Sequence, residues 1–103
     1  MSNLIAFEFF WLPEQFSGHS QPPFVSMQTR IRGESSQFPM RSIEWIQLEY
    51  DQITSQGYAL SKLLTRIPIA IGQFKFGEQI KLLAGDTIIA VGKIVNPRAE
   101  AGR

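Results

Sequence analysis

The chain has 103 residues, the size of one domain and enough to bury an independent core. Hydrophobic residues make up 44 % and charged residues 18 %, which excludes a disordered chain. Ten Lys and Arg against nine Asp and Glu leave a formal charge of +1, which argues against a strongly basic nucleic-acid binder but allows a local basic patch.

Residues 4–12, LIAFEFFWL, read as a strand because aromatic and β-branched side chains fit a pleated surface. Ile5, Phe7, Phe9 and Trp11 share one face. Leu4, Ala6, Phe10 and Leu12 share the other, with Glu8 as its single charge. Two apolar faces predict burial on both sides, or an outer face covered by a partner or a second copy of the chain. Pro13 ends the segment. Residues 13–23, PEQFSGHSQPP, predict a long polar loop.

Residues 24–32, FVSMQTRIR, alternate, so Val25, Met27, Thr29 and Ile31 are expected inside and Ser26, Gln28, Arg30 and Arg32 outside. Residues 33–41 form a second loop around Pro39. Residues 42–50, SIEWIQLEY, read as a strand of mixed period, with Ile43 and Trp45 on one face and Ile46, Leu48 and Tyr50 on the other. Residues 51–57 are turn-rich. The stretch YALSKLLTRIPIAI, residues 58–71, begins as a helical turn or a strand, and Pro68 argues against a helix through the whole segment. Residues 72–77, GQFKFG, form a linker that places Phe74 and Phe76 at the same phase.

The last third is the clearest. Residues 79–84 and 87–95 read as two strands joined by Gly85-Asp86, a pair suited to a type II′ hairpin. Gly92 within the second strand marks a bulge, a bend or a close backbone approach. Asn96-Pro97 stops it. Residues 1–97 are thus expected to form one domain and residues 98–103 a flexible tail. The whole predicts a small all-β fold, a six-stranded antiparallel barrel, since closure removes the edges of such apolar strands.

The hairpin GQF through IKLLAGDTIIAVGKIV resembles the closing hairpin of the C-terminal barrel of the elongation factor Tu family. Ile80 and Leu82 match its first strand, Gly85 its turn glycine, and Ile89, Gly92, Ile94 and Val95 its second strand. Gly18, His19 and Pro23-Phe24 resemble that family's Gly-Arg-His-Thr-Pro-Phe stretch. The resemblance implies a six-stranded barrel that grips transfer RNA through polar and basic groups near these two places. The departures bear on that grip: Leu83 and Ala84 stand at the turn's Arg-Glu positions and Thr87 at its basic one, and Asp86 and Ala90 replace glycines. No GxxxxGK[ST] phosphate loop is present, so no nucleotide is expected.

The chemistry available is limited. There are no cysteines and one histidine, which excludes disulfides, thiolate nucleophiles and multi-histidine metal sites. His19 and Ser20 are adjacent, a spacing that does not make a dyad. Glu44, Glu49 and Asp51 read as a solvated acidic rim. Catalysis and cofactors are therefore not expected. Met1-Ser2-Asn3 lacks a basic leader, and no apolar run approaches the ~18 residues of a membrane span, so the expectation is a cytoplasmic domain off the membrane.

Binding remains. Arg30 and Arg32 project to one side of their strand. Lys81 and Lys93 lie on paired strands and are expected close together across the ladder. With Gly18 and His19 these make the candidate RNA contacts, and Arg41 and Lys75 are further cations in reach. Phe16 and Phe38 sit in polar loops, either folded back as plugs or anchoring a protein partner. The expected function is a non-catalytic, elongation-factor-Tu-like module touching transfer RNA or a translation protein. The alternative is a protein-interaction module that kept the barrel and lost RNA binding.

Overall fold

The computed structural model describes residues 3–17, 21–34 and 37–98. The elements are β1 (Leu4–Trp11), a one-turn helix α1 (Glu14–Ser17), β2 (Gln28–Gly33), β3 (Arg41–Asp51), β4 (Gln56–Leu63), β5 (Gln79–Ala84) and β6 (Thr87–Val95). The strands close into an antiparallel barrel in the order β1-β4-β3-β2-β5-β6, and β6 pairs back onto β1. The expected six-stranded barrel is the fold, and closure leaves no unpaired edge.

The first strand alternates as its sequence demands. Ile5, Phe7, Phe9 and Trp11 enter the core. There Trp45 is fully buried, with its ring 5.2 Å from both Phe7 and Phe9 and 6.1 Å from Trp11, all edge-to-face. Its indole N–H donates to Thr29 Oγ1 at 3.0 Å, which removes the penalty of burying that donor. On the outer face of β1, Ala6 is covered by a small cluster with Tyr58 and Leu60, while Leu4 and Phe10 are left partly exposed.

Closure depends on two glycines. Phe9 pairs with Gly57 of β4 on one side and with Gly92 of β6 on the other. A Cβ at Gly92 would lie 2.0 Å from the Glu8 carbonyl oxygen, and one at Gly57 would lie 2.3 Å from the Glu49 carbonyl oxygen. Of the readings open for Gly92, the structure selects close backbone approach. At Gly57 the Phe9 ring fills the space that the missing side chain leaves, an aromatic covering glycine, while at Gly92 the backbone of β1 itself fills it.

Irregularities account for the mixed periods. The β3–β4 register shifts between Trp45 and Gln47, a bulge that turns Ile46 to the outer cluster. Beyond it Leu48 and Tyr50 point back to the core, so residues 43, 45, 48 and 50 face inward together. A second shift between Leu82 and Leu83 lets Ile89 into the core. In the hairpin Gly85 takes φ 62°, as its type II′ turn requires.

Several expectations are corrected. The second strand starts at Gln28 rather than Phe24, because Ser26 takes φ 78° and breaks the alternation; Val25 is exposed, while Met27, Thr29 and Ile31 are buried as expected. The segment from Tyr58 is a strand and ends at Leu63. Arg41, a candidate cation, is buried and holds the segment that follows, donating to Thr65 Oγ1 at 3.0 Å, to the Pro68 carbonyl at 3.2 Å and to the Ile67 carbonyl. Phe74 is buried at φ 57° while Phe76 is exposed, so the two do not share a phase.

Gly92→Ala is expected to lower stability by more than about 2 kcal/mol in urea denaturation, because backbone cannot yield where a flexible side chain could. Gln79→Ala, on the outer wall of the neighbouring strand, is expected to stay within about 0.5 kcal/mol.

Candidate functional site

The ladder registers arrange the outer wall in rows, because partners across an antiparallel pair point to the same side. One row runs Arg32, Lys81, Val91, Phe10, Gln56 across β2, β5, β6, β1 and β4. The next runs Gln79, Lys93, Glu8, Tyr58, Glu49 from β5 to β3. Arg30 stands two residues from Arg32 on the same side of β2, opposite Leu83.

Charge is therefore unevenly spread around the barrel. β2, β5 and β6 present Arg30, Arg32, Lys81 and Lys93. β1 and β3 present Glu8, Glu44, Glu49 and Asp51. The net charge of +1 conceals a face rich in cations and another rich in carboxylates, which meet where Glu8 faces Lys93 and where Lys62 of β4 faces Glu44. A groove of about 860 Å³ follows the basic wall, lined by Arg32, Lys81 and Lys93 together with Phe10, Val91, Glu8 and Glu34.

Three of the candidate RNA contacts thus meet in one groove, with Arg30 beside them. The register refines how the two lysines lie close across the ladder. Lys93 lies opposite Gln79 and Lys81 opposite Val91, so the lysines are diagonal neighbours about 7–8 Å apart rather than facing each other. The cation that faces Lys81 is Arg32, on the other side of β5. Among the described residues none of the four cations makes an ion pair. Gly18 and His19 lie outside the described residues. Phe16 falls in α1, and its side chain lies outside what is described.

Arg98, expected at the start of a flexible tail, lies instead on the acidic wall. Its guanidinium sits 4.1 Å above the Tyr58 ring and pairs with Glu49 at 2.6 Å and Glu8 at 3.7 Å. Its backbone N–H donates to the Tyr58 hydroxyl at 3.0 Å. Glu8 therefore has a partner on the side away from Lys93. No periodicity marks Arg98, since it acts from beyond the last strand. Phe10 was visible as part of an apolar outer face, but its cationic neighbours were not.

The 64–78 connection carries a second surface. Phe38 is half-buried and lines a shallower groove with Ile71, Lys75 and Phe76, of which Ile71 and Phe76 are exposed. Among the described residues no group of three His, Cys, Asp or Glu side chains is placed to hold a metal, and no helix is long and apolar enough to cross a membrane.

No family model matches the chain, nor does a curated protein or a solved structure.

Arg98→Ala is expected to reduce stability by no more than about 1 kcal/mol, because both of its ion pairs are half-exposed to solvent. Trp45→Ala is expected to cost about 3–5 kcal/mol. Urea denaturation of the two variants measures the contrast.

Proposed function

We propose that the barrel is a non-catalytic binding module that takes the phosphate backbone of RNA on the wall formed by β2, β5 and β6. Arg30, Arg32, Lys81 and Lys93 contact phosphate oxygens, which positions the RNA without reading its sequence. The observation that carries this reading is the facing pair Arg32 and Lys81. Like charges directly opposite across a ladder destabilise a sheet. A bound anion between them reverses that effect, which gives the arrangement a use.

The resemblance to the elongation factor Tu barrel makes transfer RNA the first ligand to try, in a translation setting. The supporting residues differ from those the resemblance implies. The hairpin turn lacks the family's basic residues at Leu83 and Thr87, and the proposed contact lies on the strands instead.

A second reading has an observation of its own. Ile67, Ile71 and Phe76 are exposed on one connection, and Phe38 lines a groove with the last two. An apolar protein partner, or a second copy of the chain, would cover them. The readings separate on salt. Phosphate binding weakens steeply as salt rises and an apolar contact does not.

With four phosphate contacts, log K against log salt is expected to fall with a slope of about −3 for a short RNA followed by fluorescence anisotropy. Lys81→Glu is expected to act in two directions at once. Pairing with Arg32 raises stability by about 0.2–1 kcal/mol, while RNA affinity drops by about tenfold or more. Loss of both would mean that Lys81 serves the fold, and retention of affinity would remove the wall as the RNA contact.

A further inference from the structure

The basic wall ends at an apolar ledge. Phe10 and Val91 face each other across β1 and β6, and both line the groove. Phe10 is 39 % exposed although its strand neighbours Phe9 and Trp11 are buried. Among the described residues no other ring or cation rests on it. Its position relative to the charges is set by the ladder. Lys93 is its diagonal neighbour, about 7–8 Å away, and Lys81 is two strands away, about 10 Å. Glu8, two residues along β1, also lines the groove and pairs with Arg98 at 3.7 Å.

Within one nucleotide, phosphate and base are separated by a comparable span. A phosphate held by Lys93 or Lys81 brings its own base over the Phe10 ring. Only an unpaired nucleotide can do this. A duplex keeps the faces of its bases inside the stack and offers a wall only its backbone and groove edges. Cations along a groove with an aromatic platform beside them form the general arrangement for single strands, where stacking adds to phosphate contact and tolerates any base.

We infer that the wall selects single-stranded RNA, with one base stacked on Phe10 and its phosphate on Lys93 or Lys81. This rests on the reading of the wall as an RNA contact and adds to it the form of the RNA. Phe10 acts through its partly exposed side chain, and Val91 extends the apolar floor beneath the sugar and base.

The test compares a labelled single-stranded oligoribonucleotide with a hairpin duplex of similar charge, by anisotropy at one low salt concentration. The wild-type chain is expected to bind the single strand about tenfold more tightly. Phe10→Ala is expected to weaken single-strand binding about tenfold and leave the duplex unchanged, and Phe10→Trp to restore it. Near-UV circular dichroism of each variant reports whether the aromatic core is intact. Equal affinity of the wild type for both RNAs, an Ala variant that binds both as before, or one that loses both alike would each overturn the stacking role. Binding of neither RNA by the wild type would instead overturn the RNA reading itself.

Discussion

The approach of three strands around Phe9 is the constraint on which the structure depends. The first strand must pair with β4 and with β6 at once, and it does so closely only because its partners opposite Phe9 are Gly57 and Gly92. A side chain at either glycine would meet backbone, which has no rotamer to escape into. The Phe9 ring then packs on Trp45, Trp11 and a parallel-stacked Tyr50. The same residue thus closes the wall and fills the interior behind it.

Closure also creates the surface. Residues 30 and 32 are some fifty positions from residue 81 in sequence, and they become neighbours because β5 pairs with β2 on one side and β6 on the other. A sheet open between β2 and β5 would separate the cations and leave edges exposed. The barrel instead places Arg32 and Lys81 face to face, with Glu8 of β1 at the border of the cations and the carboxylates of β3 farther round the wall. Arg98 compensates Glu8 and Glu49 from beyond the last strand. A chain of almost neutral sum can in this way carry a basic face.

The six strands were legible because burial alternates with period two, and turn residues separate them. The places that misled are those where one residue changes the phase. Ser26 at positive φ shortens the second strand, the bulge at Ile46 mixes the period of the third, and the contacts of Arg41 with the 65–68 segment were not visible in any local pattern. For the site, alternation alone placed Arg30, Arg32, Lys81 and Lys93 on the outside. Which of them face one another depends on strand order and register, both long-range properties. The hairpin places Lys81 and Lys93 as diagonal neighbours, and the cation directly facing Lys81, Arg32, comes from the barrel order. Phe10 looked like core or dimer surface until the register put cations beside it.

The central claim is that one wall of the barrel, β2–β5–β6, is the binding face. An amide NMR titration of the labelled chain with a short RNA, at low and at moderate salt, tests it most directly. The account predicts shifts at residues 30–32, 79–83 and 91–93 that vanish as salt rises. Shifts confined to the 64–78 connection and insensitive to salt, or no shifts at tens of micromolar RNA, would contradict it.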